Sequence, residues 1–279
     1  MTVCYHSRML RACLAAICIA VTSVAASAQA SVQKIIDSEH AFAKRALEIG
    51  GGPSFVEYMT DDAWSFVPDA TKGKSYWAGQ KADGSILEWA PNFADAASDG
   101  TFGYTTGNWQ YRAKKGDEPS AFGEFNTIWV KQRDSSYKWV VDIGIGHDKP
   151  ASYSTAVATA PLTGGRHPSP PSFDMQTFDE QAGKDAQKAY GTFASKDIRM
   201  IRRGKMPIVG STAVKNEISG KMTFGTTIAT QRASDMTYVL RPYTFGDEKG
   251  NELQVWKYDH QLAGWQIVLD VLKPVPPKQ

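Results

Sequence analysis

Hydrophobic and polar positions along the chain spell helix, then strand, and then the same order again. In VQKIIDSEHAFAKRALEIGG, Ile35, Phe42, Ala46 and Ile49 fall on one helical stripe, and the glycines after Ile49 end it. Pro53 can open a short second helix carrying Phe55, Val56 and Met59. Trp64 to Val67 reads as a strand, followed by a glycine-rich excursion and three antiparallel strands. The stretch SDGTFGYTTGNWQY, Ser98 to Tyr111, has strand composition interrupted by Gly103 and Gly107. Strict alternation puts Phe102 and Tyr104 on one face and Trp109 and Tyr111 on the other. A β-bulge near Gly107 would shift the register by one and gather all four on the same face. The stretch is therefore read as a bent strand whose aromatics fill a concave side.

Lys149 to Ser172, KPASYSTAVATAPLTGGRHPSPPS, has linker composition and no apolar period. The segments on either side repeat one another. FNTIWVKQRDSSYKWVVDIG and LQVWKYDHQLAGWQIVLDVL both run strand, polar turn, strand, with Tyr137 and Trp265 each five residues before Asp142 and Asp270. GYTTGNWQY finds its counterpart in TYVLRPYTF, where Pro242 falls beside the position of Gly107, and Phe178 to Phe193 takes the helical role. The expectation is a tandem duplication, with domains over 31–148 and 173–274 and a linker over 149–172.

Residues 1–28 read as a secretory signal peptide: Arg8 and Arg11 precede an apolar run, and Ala26-Ser27-Ala28 is a small-x-small cleavage site. A secreted or periplasmic location follows, with no membrane anchor, the run being too short for a comfortable membrane span. Cys4, Cys13 and Cys18 all leave with that segment, which excludes disulfides, thiolate metal sites and a cysteine nucleophile. Without Arg8 and Arg11 the chain carries 29 basic and 29 acidic residues, so a basic field for nucleic acid is absent. Neither a metal site nor a cofactor is expected, because no cluster has metal-ligand spacing and no phosphate-binding glycine loop is present.

Helix, short helix, DDAWSFVP, EWAPNFADAASDGTFGYTTGNW and GEFNTIWVKQRDSSYKWVVDIG together resemble the nuclear-transport-factor-2-like superfamily, above all its SnoaL-like and ketosteroid-isomerase-like secreted bacterial proteins. The resemblance covers Ser31 to His147 and, more faintly, Phe173 to Lys273. It implies an α+β fold of two cone-shaped half-barrels, each with helices packed on a curved antiparallel sheet and closing a pocket. Members of that superfamily often dimerise through their sheets, so two copies in one chain imply an internal pseudo-dimer or a dimer through sheet faces.

Asp142 and Asp270 end apolar strands, where an ionised carboxylate needs a partner or water. Asp142 is the candidate catalytic residue, a general base of the kind the resemblance implies. The competing view of both aspartates is a structural one, a strand-end carboxylate holding backbone or arginine hydrogen bonds. Asp61, Asp62 and Asp197 read as turn or cap residues, His40 as solvated, and His147 as a loop residue that could share the opening with Asp142. Trp64, Trp77, Trp89 and Trp109 have no tryptophan counterpart in the second copy, so the fold itself does not require them. The candidate ligand-binding set is Tyr58, Trp64, Trp89, Tyr104, Trp109 and Trp129, although Trp129 aligns with Trp256, a signature of core. Three functions stay open: a pocket for a small apolar or aromatic molecule, an isomerase, dehydratase or cyclase using Asp142, and a protein-interaction module.

Overall fold

The computed structural model describes residues 29–81, 83–154, 156–161 and 169–276, so the signal-peptide expectation falls outside the described residues. The first unit runs α1 (29–49), α2 (Gly51–Tyr58), β1 (Met59–Phe66), β2 (Ala70–Lys72), α3 (Gly73–Trp77), β3 (Ile86–Ala96), β4 (Phe102–Arg112), β5 (Ala121–Lys131), β6 (Tyr137–His147) and β7 (Ala158–Thr159). The second runs α4 (Gln176–Ala182), α5 (Ala186–Phe193), β8 (Ala194–Ile201), β9 (Ile208–Val209), α6 (Ser211–Glu217), β10 (Met222–Phe224), β11 (Ala229–Arg232), β12 (Met236–Phe245), β13 (Glu248–Asp259) and β14 (Gly264–Pro274).

Each unit is helices on a curved sheet, and the sheets have the orders β2-β1-β6-β5-β4-β3-β7 and β10-β12-β13-β14-β8-β9, with β11 on the edge of β12. The sequence led to the expectation of antiparallel sheets, and each sheet contains a parallel pair: β1 runs parallel to β6, and β8 parallel to β14. The helical role over Phe178 to Phe193 is taken by two helices, separated ahead of Asp185, whose side chain caps α5 by accepting from the Lys188 N–H at 3.1 Å. Part of the stretch with linker composition is strand, since β7 adds parallel to the edge of β3.

The duplication is visible in the register. Strands β1 and β8 bury and expose their eight residues in the same order. The β1–β6 pairing slips between Met59 and Trp64, and the β8–β14 pairing slips at the same place, between Ala194 and Arg199 in β8. The β5–β6 and β13–β14 pairings likewise shift at Ile128/Trp129 and at Val255/Trp256. Counting from those tryptophans, Gly107 in the first unit corresponds to Arg241 in the second, because Gly107 faces Phe125 and Arg241 faces Glu252.

The bulge expected near Gly107 lies in the neighbouring strand. β4 pairs without interruption to β5 from Phe102 to Tyr111, while β3 takes the extra residue, Asn92, between Pro91 and Phe93. Gly107 is needed for close approach: a Cβ there would run into the Ala90 carbonyl and stand 2.8 Å from the Phe125 ring. Plain alternation therefore holds, and Tyr104 and Trp109 point to opposite faces.

The outer faces of the two sheets bury each other. Phe102, Tyr104, Ile128, Val141 and Ile143 share one apolar cluster with Met236, Tyr238, Leu240, Leu253, Val255 and Val271. The Phe102 and Tyr238 rings meet edge to face at 5.6 Å. Around this core the Ser98 N–H donates to Asp235 at 2.8 Å and the Ser234 N–H to Asp99 at 2.9 Å, a reciprocal pair of the kind a two-fold interface makes. Lys257 Nζ is held by both oxygens of Asp95 at 2.7 and 2.9 Å. The chain is an internal pseudo-dimer.

Because the apolar seam is shared, a protease nick within 149–172 should leave the two fragments bound to each other. They should co-elute on size exclusion and part only in denaturant; fragments that separate in native buffer would contradict the shared core.

Candidate functional site

Between α1, α2 and the inner face of the first sheet lies a cavity of about 560 Å³, within the range of small-molecule pockets. Aromatic side chains are prominent in its wall. Trp89 and Trp109 come from β3 and β4, Phe42 and Phe55 from the helices, and Trp77 from α3. Phe55 stacks on Trp77 with centroids 4.0 Å apart, and the Trp77 indole N–H donates to Ser65 Oγ at 2.8 Å.

Trp109 reaches the cavity because it stands opposite Gly123, where a Cβ would lie only 2.5 Å from its ring atoms. Gly144 stands beside it, its would-be Cβ 3.5 Å from Trp109 Nε1, which is ordinary contact. Trp109 Nε1 itself is buried and has no hydrogen-bond partner, so it is a donor available to a ligand.

Asp142 lies on the same wall, paired in register with Thr127, whose hydroxyl donates to Oδ2 at 2.7 Å. Burial pushes its carboxyl up to about 6, against the pull of the Thr127 hydroxyl and the Lys273 charge. Deeper lies Glu39, wholly buried. It accepts from Trp89 Nε1 at 2.6 Å, Thr105 Oγ1 at 2.5 Å and Trp129 Nε1 at 2.9 Å. Burial raises Glu39 to about 7, with the negative charge of Asp142 adding to the rise and the Thr105, Trp89 and Trp129 donors opposing it. Two carboxyls with raised proton affinity thus sit in electrostatic contact, one on the wall and one behind it.

At the equivalent place the second unit carries a charged cluster. Arg241, standing where the first unit has Gly107, is buried over the Phe224 ring with Asp179 and Glu252 each 2.8 Å away. Asp270, paired with Gln254 as Asp142 is with Thr127, is fully buried and held by Arg202 at 2.9 Å, by Gln254 at 3.1 Å and by the Tyr190 hydroxyl. Contrary to the expectation from the sequence, neither aspartate ends its strand: Asp142 and Asp270 lie in the middle of β6 and β14. The structural account, a carboxylate holding arginine hydrogen bonds, describes Asp270. Asp142 has no cation within hydrogen-bond reach and is partly open to the cavity.

Of the candidate catalytic and ligand-binding residues, Trp89, Trp109 and Asp142 line the cavity. Four do not. Tyr104 lies in the core between the sheets, and Trp64 packs on that core with Lys72 Nζ 3.9 Å above its ring. Trp129 is buried beneath the cavity as a donor to Glu39. Tyr58 stacks on the Phe42 ring at 5.2 Å, away from the lining. His147 points to the other face of the sheet, its Nε2 3.7 Å from Glu124. His40 is exposed, and Asp61 and Asp62 sit within β1, where its pairing slips, and not in a turn. Glu39 was missed, although it occupies the stripe of Ile35, Phe42 and Ala46, where an acidic residue is out of place. Among the described residues no group of three or more His, Cys, Asp or Glu is placed to hold a metal ion, and no helix is long and apolar enough to cross a membrane.

Helices closing the concave face of a curved sheet, twice in one chain, form the fold that the sequence resemblance implied. Solved structures similar to this chain include a candidate ketosteroid isomerase from Parabacteroides distasonis, at 13% identity over 37% of this chain and 86% of its own, TM-score 0.32. A conserved protein from Planctomyces limnophilus matches at 13% identity over 37% and 94%, TM-score 0.30. A candidate calcium/calmodulin-dependent protein kinase type II association domain from Thiobacillus denitrificans matches at 19% identity over 39% and 100%, TM-score 0.30. No protein-family model matches the chain, and no curated protein matches it.

Two outcomes follow from the geometry. Trp109→Ala should cost less than the about 3–5 kcal/mol of a fully packed tryptophan and should weaken binding of apolar fluorescent probes; a full-sized stability loss with unchanged binding would make Trp109 core. Glu39 binds its proton more tightly folded, at about 7, than its ordinary 4.5, so its contribution is complete below 4.5 and is lost as pH rises to about 7. Urea titrations should show Glu39→Gln reducing that decline by about 3 kcal/mol; a wild-type slope retained in the variant would rule out the assignment.

Proposed function

We propose that the first unit binds a small apolar or aromatic molecule in the cavity beneath α1 and α2, and that the protein works in the periplasm or outside the cell. The observation that supports this most is the contrast between duplicated halves. One interior holds a cavity of about 560 Å³ walled by Trp77, Trp89 and Trp109, and the other places Arg241 and its carboxylates at the equivalent position. A core that only had to fold would be filled in both copies, since voids forfeit contact energy. The location rests on the charged and apolar pattern of residues 1–28. The assembly reading needed free sheet faces, and these cover each other.

A second reading, proton transfer by Asp142, draws support from its carboxyl being raised to about 6 on the wall of a site that a ligand can enter. It would appear as exchange of activated α-protons of a cyclic ketone for deuterium, absent in Asp142→Asn.

Filling the cavity tests the binding function itself. Gly144 tolerates a Cβ without backbone conflict, so Gly144→Leu should keep the fold and lower the affinity for phenylnaphthylamine more than about tenfold. Unchanged affinity with the melting temperature retained would place the probe elsewhere and defeat the proposal.

A further inference from the structure

The cavity belongs to the first unit, but the second unit builds its mouth. Arg203, just past β8, and Lys273 and Pro274, at the end of β14, complete the wall together with Pro276. Both segments are pinned to β6. Lys273 Nζ donates to the Gly144 carbonyl at 2.6 Å, and the Gly204 N–H, next to Arg203, donates to the Gly146 carbonyl at 2.8 Å. Gly144 and Gly146 carry no side chain that would fill the space beneath these two cations.

The charge at this mouth is out of balance. Three other buried or half-buried cations hold a carboxylate at hydrogen-bond distance: Arg202 has Asp270, Arg241 has Asp179 and Glu252, and Lys257 has Asp95, whereas half-buried Arg199 meets the Asn92 amide oxygen. Lys273 has only a backbone carbonyl in that role, and burial together with the nearby positive Arg203 works against its charged form. The acidic group of the lining is Asp142, whose charge favours that of Lys273 but whose own carboxyl holds its proton up to about 6. Two like charges brought together over an apolar cavity repel unless an anion joins them.

We infer that the ligand is an aromatic or alicyclic molecule carrying one anionic group, a carboxylate or sulfonate, held at the mouth by Lys273 and Arg203 with its apolar body among Trp77, Trp89 and Trp109. This inference rests on the binding function proposed above. The anion would face Lys273 and Arg203 as cations, with Asp142 and, behind it, Glu39 as the acids. A negative ligand beside Asp142 favours its protonated form, so binding takes up a proton and tightens from about pH 8 to about pH 5.5. A cationic ligand would show the opposite trend.

The test compares two probes of one shape, anilinonaphthalene sulfonate and uncharged phenylnaphthylamine, titrated against the full-length protein at low salt. The sulfonate should bind at least about tenfold more tightly. Lys273→Met and Arg203→Gln together should bring the ratio to within about twofold, the loss falling on the sulfonate. Equal affinities in the wild type, a preference that survives both substitutions, or sulfonate binding that tightens toward high pH would each overturn the inference. If the neutral probe binds, and Gly144→Leu abolishes it, while no sulfonate preference exists, only the anionic class is lost. If neither probe binds, the cavity function is lost with it.

Discussion

Phe102, Tyr104, Ile128 and Ile143 leave water only because Tyr238, Leu240, Leu253 and Val271 meet them from the second unit. A curved sheet has two faces, and each strand must divide its side chains between them. Once one face of β4 and β5 is committed to the partner sheet, alternation sends Trp109, Tyr111, Phe125 and Thr127 inward beneath the helices. The same contact carries the end of β14 and the turn after β8 onto β6, where Lys273 and Gly204 bond to glycine carbonyls. Cavity wall and cavity mouth therefore both depend on one apolar seam.

The two halves keep a common backbone and spend their interiors differently. Where β4 has Gly107, β12 has Arg241, and a guanidinium there needs Asp179, Glu252 and Gln254 around it to be buried. The replacement turns an apolar cavity into a charged core. It also separates the two aspartates. Asp270 is surrounded by Arg202, Tyr190 and Gln254, while Asp142 has the Thr127 hydroxyl and the charge of Lys273 without a hydrogen bond to it. The second unit supplies the cations at the mouth of its neighbour's cavity.

Much of this was legible in the sequence. Period-two alternation by itself put Trp109 and Tyr111 opposite Phe102 and Tyr104, and the structure obeys it. The added bulge misled, because a glycine marking a bulge and a glycine yielding to a neighbouring strand look alike in one sequence; Gly107 is the second kind. The repeat was visible since Tyr137 and Trp265 each stand five residues before an aspartate, and Trp129 aligns with Trp256. Glu39 was hidden because a single acid on a helix normally faces water, and only the indole donors Trp89 and Trp129, far along the chain, make its burial tolerable. Lys273 and Arg203 were out of reach because their place at the mouth is set by packing between the copies, which no local pattern records.

The account stands on a site open in one copy and closed in the other. Crystals soaked with iodobenzene and measured at a wavelength where iodine scatters anomalously would locate the site directly. The predicted result is an iodine peak within the first unit, beside Trp109 and between α1 and β5, with none near Arg241. A peak in the second unit's interior or in the seam between the sheets, with the first unit empty, would contradict it.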